Sequence, residues 1–314
     1  MSPDLEIHVP ISPTPNFFTM VHYLAASLRL NGGALAESPI VVTVGEDAEP
    51  EDLYRQCPWS RRYPIEWRWL DRDLYRRHIY YATALERFRL PFRAATVMLI
   101  DADVFFTGSF DEVVARCRTD HALAGLIAHV TPFKTRQEHA PEDWWSRVFA
   151  SAGLGAPPLV CEHTGWPVAP ADPAERHCPP YFNLGMLVAP AAVMHAIGDV
   201  IYEEMAAVDR VLETPFRCQL ALTLAVLRLG IRWDPLAMRF NFPNDQPIAS
   251  HYVTDLADVR LFHYLRVAAI DKARDFVSRA SVDALLARTD LEGVNADMAR
   301  YLRPVHAMVA ADPE

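Results

Sequence analysis

With 314 residues, 51% of them hydrophobic, the chain can bury a sizeable core, as one large domain or as two intimately packed halves. Its formal net charge of −10 argues against a nucleic-acid backbone or an anionic membrane surface as the main partner. No window approaches about 18 uninterrupted apolar residues, so nothing in the sequence reads as a transmembrane segment.

The positive charge is almost all arginine, since Lys134 and Lys272 are the lysines. The cysteines Cys57, Cys117, Cys161, Cys178 and Cys218 form no C-x-x-C pair. The start "MSPDLEIHVP" has neither a basic leader nor an apolar core, so the expectation is a reducing, cytoplasmic setting.

In chain order, "LEIHVPIS" alternates and stops at "PTPN", a strand running into a loop. "NFFTMVHYLAASLRLNGG" has helical spacing, with Asn16 as N-cap and Gly32-Gly33 as the stop. "SPIVVTVGED" is a continuous apolar strand of the kind buried on both faces. "IEWRWL" reads as a further strand and "DLYRRHIYYATALERFRL" as one helix, followed by the apolar strand "ATVMLIDADVFF". Strands alternating with helices in this way predict a doubly wound α/β sheet, and such sheets bind ligands beyond the carboxyl ends of their strands.

Asp101 and Asp103 stand at such an end. On an extended segment, alternate residues point to one side, so the two carboxylates face together and repel unless a cation lies between them. A hard divalent ion, Mn²⁺ or Mg²⁺, suits two such oxygens and leaves coordination positions for phosphate. A bare D-x-D is also common by chance, with one aspartate capping a turn and the other merely solvated. His263 in "VRLFHYLR" is a second candidate ligand, alternatively a packed histidine after a strand.

From Thr131 to Pro180 the chain is rich in Pro, Trp and His and weakly periodic, which predicts a long irregular insertion. Its tryptophans Trp144, Trp145 and Trp166 could present aromatic faces to a ligand or anchor the loop to the core. Glu138, Glu142 and Asp143 could orient a ligand hydroxyl or lie on a solvated face, and Asp111 and Glu112 suit a helix N-terminus. Cys161, His163, His177 and Cys178 could hold zinc, although adjacent His177 and Cys178 depart from the usual spacing. Regular structure resumes with the strand "YFNLGMLVAP", the helices "AAVMHAIGDVIYEEMAAVDRVL" and "PFRCQLALTLAVLRLG", the extended run "IRWDPLAMRFNF", the strand "DVRLFHYL", and a helical tail after Lys272.

The order of these segments resembles glycosyltransferase family 8 and its relatives with the GT-A fold. The matching pieces are "PTPNFFTMVHYLAASLR", "YYATALERFRLPFRAATVMLIDADVFF", "YFNLGMLV", "FRCQLALTLA", "MRFNF" and "LFHYLR". The resemblance implies a Rossmann-like doubly wound mixed sheet flanked by helices, in a single domain with a helical C-terminal tail. The catalytic domain would span 1–270, with a nucleotide-binding half 1–110 and an acceptor-side half 111–270 carrying the insertion 131–180. The tail would be 271–314.

It further implies a metal-dependent transfer of a hexose from a nucleotide sugar, most simply a UDP-sugar, to a glycan or small-molecule acceptor, with retention at the anomeric carbon. Asp101, Asp103 and His263 would hold Mn²⁺ or Mg²⁺, with Ala102 between the aspartates. Thr14 and Asn16 would sit beside the base, Asn183 and Gly185 under the donor sugar, and Gln219 near the anomeric carbon, so that Gln219 and Asn183 are the catalytic candidates. A glycine such as Gly185 lets backbone approach a ligand closely, or serves strand packing. Where the family has an acid before the glutamine this chain has Cys218, and the family's G-x-K-P-W is absent, leaving Arg266 or Lys272 for the diphosphate. The family's arginine ahead of D-x-D falls at about Thr83, with Arg87 the nearest cation. Two other classes stay open: a sugar-nucleotide nucleotidyltransferase, against which "VPISPTPNFF" lacks the Gly-rich loop and lysine, and a non-catalytic GT-A-fold binding protein.

Overall fold

A computed structural model describes residues 4–133, 141–170 and 173–313. The strands are β1 (Leu5–Ile11), β2 (Ile40–Val44), β3 (Ile65–Trp69), β4 (Thr96–Ile100), β5 (Val104–Phe106), β6 (Leu123–Ile127), β7 (Cys161–Glu162), β8 (His177–Cys178), β9 (Phe182–Pro190), β10 (Trp233–Pro235), β11 (Phe242–Pro243) and β12 (Leu261–His263). Among the described residues seven of them form the main sheet, in the order β10-β6-β9-β4-β1-β2-β3. Its pairs are parallel except those of β9, which runs antiparallel to both β4 and β6.

The central strands are apolar because helices cover both faces. Along β4, Met98 and Ile100 join one core cluster while Val97 and Leu99 join the other, as the two-residue period of a strand requires. The first cluster includes the helix Pro15–Asn31 and the tail helices Arg279–Leu286 and Gly293–Ala310. The tail therefore shares the core of the sheet it follows: Tyr23 Oη and His306 Nδ1 are 2.5 Å apart, and Asp312 Oδ2 lies 2.8 Å from His22 Nε2. The second cluster holds the helices Ala191–Asp209 and Arg217–Arg228.

Three local expectations differ from the structure. The first helix begins at Pro15, so its N-cap is Thr14, and Asn16 lies inside the first turn; proline suits that first position because the missing N–H has no helical partner there. The segment from Asp73 to Leu90 is broken at Ile79, whose φ of 51° separates the helices Arg72–His78 and Tyr80–Glu86. The weakly periodic stretch holds a regular helix, Pro141–Ser151, and a ribbon of β7 and β8.

Candidate functional site

The site is assembled by three strand junctions. β1 and β4 are parallel neighbours, so the loops after Ile11 and Ile100 open on the same edge of the sheet. β9 runs the other way and delivers its beginning there: Ile100 faces Met186, and the Asp101 N–H donates to the Gly185 carbonyl at 3.0 Å. β5, directly after D-x-D, pairs antiparallel with β12, so that Val104 faces His263. Asp101, Asp103 and His263 thereby converge, with one ligand atom of each lying within 4.8 Å of the others, and no other such group is found among the described residues.

Each member has its own electrostatic setting. Asp103 is nearly buried, with His263 Nε2 3.3 Å from its Oδ1 and the Lys272 ammonium bonded to its Oδ2. Burial alone would push this carboxyl up, but His263 and Lys272 together hold it well below the usual carboxylate range. Asp101 is raised: burial outweighs the attraction of the Arg87 guanidinium, 3.7 Å away, and the Asp103 carboxylate adds to the rise. Arg87 is fully buried and donates to the Ile100 carbonyl at 2.9 Å, so this arginine braces the end of β4 as well as facing Asp101.

The His263 ring is tightly held. Its Nδ1 is 2.9 Å from Asn241 Oδ1, while its buried Nε2 has no hydrogen-bond partner among the described residues. Gly185 packs on the ring: a Cβ there would stand 2.4 Å from His263 Cε1 and 2.7 Å from Asn183 Oδ1. The absent side chain at Gly185 thus leaves room for the His263 ring. A buried imidazole nitrogen left without a partner and turned to two carboxylates is a donor set suited to a divalent cation, so the residues present fit the expected metal.

A cavity of about 230 Å³ opens over the pair, lined by Ser12, Phe17, Tyr80, Thr83, Asp101, Ala102, Asp103 and Lys272, among others. Between the two cations expected at the diphosphate, Lys272 lines this cavity, whereas the exposed Arg266 is paired with Asp245 at 2.6 Å. Thr14 and Asn16 bond to each other at 2.5 Å and are not among the cavity's lining residues. Phe17 and Tyr80 were not singled out from sequence; the only signal for Tyr80 would have been a break at Ile79, where neither glycine nor proline marks one.

Gln219, in the first turn of its helix, keeps a buried Oε1 without a partner among the described residues. Cys218 beside it does not replace an acid, because burial pushes its thiol up to about 12. Trp144 and Trp145 are buried against Phe133 and belong to the core, while Trp166 is half-buried. Asp111 and Glu112 occupy the first turn of the helix Asp111–Asp120, and Asp143 is exposed. Lys134 and Glu138 lie outside the described residues, as does the side chain of Glu142. In the β7–β8 ribbon Cys161 faces Cys178 and Glu162 faces His177; His163 Nδ1 bonds to the Ala128 carbonyl at 3.0 Å, and these groups do not gather as metal ligands.

No family model and no curated protein matches the chain. Solved structures do. The galactosyltransferase LgtC in complex with donor and acceptor sugar analogues matches with a TM-score of 0.55 and 16% identity over 98% of each chain. An active-site glutamine-to-glutamate mutant of LgtC gives a TM-score of 0.56, again at 16% identity over 98% of each chain. The bifunctional glycosyltransferase WbbM matches with a TM-score of 0.53 and 10% identity over 85% of this chain, which spans 46% of that protein. The architecture is thus the GT-A fold of glycosyltransferases. No helix among the described residues is long and apolar enough to cross a membrane.

Proposed function

We propose that the protein is a metal-dependent glycosyltransferase that moves a hexose from a UDP-sugar to a glycan or small-molecule acceptor, retaining the anomeric configuration. The observation that carries this reading is the convergence of Asp101, Asp103 and the unpartnered Nε2 of His263 beside a cavity at the carboxyl edge of a GT-A sheet. LgtC, of the same fold, is a galactosyltransferase solved with donor and acceptor analogues, which supports the choice of sugar transfer over other chemistry on this fold.

Asp101, Asp103 and His263 would hold Mn²⁺ or Mg²⁺. When bound, the ion supplies positive charge where the departing diphosphate gathers negative charge. Lys272 neutralises Asp103 and stands at the cavity wall, from which its ammonium can turn to a phosphate. Phe17 and Tyr80 offer flat faces for the base, next to the turn made by Thr14 and Asn16. Asn183 presents its amide to the donor sugar, and the free carbonyl of Gln219 can steady an oxocarbenium-like carbon. In LgtC a glutamine belongs to the active site, in keeping with that role. Free thiols at Cys57, Cys117, Cys161, Cys178 and Cys218 suit a reducing compartment such as the cytoplasm.

The test is calorimetric titration of UDP into the protein with and without Mn²⁺, with GDP for comparison. Tight binding of UDP only with Mn²⁺ is expected. Preference for GDP would change the donor. Binding of neither would overturn the transferase and favour a non-catalytic protein in which Lys272 permanently occupies Asp103.

A further inference from the structure

The directions of three hydrogen bonds place a proton on Nδ1 of His263. The Gly185 N–H can only donate, and it lies 2.7 Å from Asn183 Oδ1, so the Asn183 carbonyl must point to it. Asn241 approaches the same Asn183 oxygen at 3.4 Å and must present its Nδ2 there, because two carbonyls do not bond. The Asn241 Oδ1 is then turned to His263 Nδ1, at 2.9 Å, and that nitrogen has to be the donor. With Nδ1–H committed to Asn241, Nε2 is the nitrogen turned to Asp103 Oδ1, 3.3 Å away, and the one whose lone pair a cation bound between the carboxylates would take.

We infer that Asn241 is a positioning residue: with Asn183 and the Gly185 N–H it forms a relay that fixes His263 in the Nδ1–H tautomer and keeps Nε2 available as a metal ligand. The inference rests on the metal-site reading above, and it explains features that reading does not need. Asn241 is 1% exposed and immediately precedes β11, whose parallel pairing with β12 holds it beside His263. Gly185 then has two tasks, supplying the N–H that sets the relay's direction and leaving space for the ring. The relay also leaves Asn183 its Nδ2 to offer a ligand, so that this residue meets a donor sugar as a hydrogen-bond donor. An outer partner that orients a metal-binding histidine typically changes metal affinity by about 10- to 100-fold.

The test uses the full chain with ¹⁵N-labelled histidine, free of metal, in long-range ¹H–¹⁵N correlation spectra, with the His263 signals assigned by their loss in His263→Gln. In the wild-type protein Nδ1 should show the protonated shift. Asn241→Leu should mix or reverse the tautomers and weaken Mn²⁺ binding, read from the electron paramagnetic resonance of free Mn²⁺, by about 10- to 100-fold. Asn241→Asp, which still accepts from Nδ1–H, should restore the tautomer and most of the affinity. Asn183→Ala gives a second variant should Asn241→Leu not fold, with the same tautomer mixing expected. An Nε2–H tautomer in the wild type overturns the relay, as does an Asn241→Leu protein with unchanged tautomer and unchanged Mn²⁺ affinity. The wild-type Nδ1–H tautomer, its loss in Asn241→Leu and no Mn²⁺ binding by any variant would uphold the relay and overturn the metal-dependent transferase.

Discussion

Two carboxylate–histidine pairs, one within a central strand and one beyond the end of another, have opposite fates. Glu6 and His8 are two residues apart on β1, both fully buried, with Glu6 Oε1 2.5 Å from His8 Nε2. The other oxygen of Glu6 accepts the Arg93 backbone N–H at 3.2 Å, and β1 is flanked by β2 and β4 along this stretch. Asp103, past the end of β4, and His263, at the end of β12, are also buried but stand beside a cavity and a second carboxylate. In both pairs the histidine keeps a buried nitrogen without a partner, Nδ1 of His8 and Nε2 of His263. The orphan nitrogen therefore does not define a site. What does so is position along the strand: mid-strand, neighbouring strands close around the pair, while at the carboxyl edge a second acid and a ligand can reach it.

The charges differ in the same sense. Burial alone would raise Glu6, but His8 and Arg93 bring it below the ordinary value, while burial lowers His8 in spite of Glu6. That pair rests at neutral pH as a carboxylate accepting from a neutral imidazole, with its needs met by Arg93. The site instead sets two acids against two cations, Lys272 at Asp103 and Arg87 at Asp101, beside an open cavity.

The contrast is broken most severely by Asp103→Asn. This variant should fold and lose Mn²⁺-dependent UDP binding, by about a hundredfold or more, measured calorimetrically. If binding persists at wild-type strength, the edge pair is no more a metal site than the buried one. Glu6→Leu should do the converse. It leaves Arg93 and His8 without their acceptor and should cost about 3 kcal/mol in urea unfolding, with Mn²⁺-dependent UDP binding unchanged per folded molecule. A smaller effect is expected from Gly185→Ala, whose methyl collides with the ring of His263 and with Asn183 Oδ1. Mn²⁺ affinity should fall about tenfold, and a variant with full affinity would show that the ring can shift freely.

Much of the donor side was legible because its signals are local. The run "VMLI" into Asp101 and Asp103 marks a buried strand ending in acids, and the alternating strands and helices indicate which edge they occupy. His263 stood out only in the company of the other segments. The "MRFNF" segment was visible, but the role of Asn241 was not: it depends on a parallel pairing of short strands that brings residues 22 apart side by side. Tyr80 was hidden because "DLYRRHIYYATALERFRL" has the periodicity of one helix, and the turn at Ile79 uses a β-branched residue at positive φ, where sequence rules expect glycine. In the 131–180 stretch, the prolines around "EDWWSRVFAS" masked a helix that Pro141 in fact begins, and its tryptophans face the core.

The smallest effect is a pH dependence at the β7–β8 ribbon. His163 ties the β7 strand to the end of β6: its Nδ1–H donates to the Ala128 carbonyl, while its Nε2 is buried without a partner. Burial lowers its pKa from 6.5 to about 4, against the smaller opposing influence of the Ala128 carbonyl. The unfolded chain therefore binds a proton here at a higher pH than the folded one. The contribution of this neutral histidine to stability is full above about pH 6.5 and is lost as the pH falls toward 4. Urea midpoints of the wild-type protein should drop across that window more steeply than those of His163→Asn, which has no proton to take up. The two curves should run parallel above pH 7. Parallel curves throughout would mean that the protonated ring finds an acceptor or water in the folded state, and that the ribbon is looser at its base than the bond to Ala128 implies.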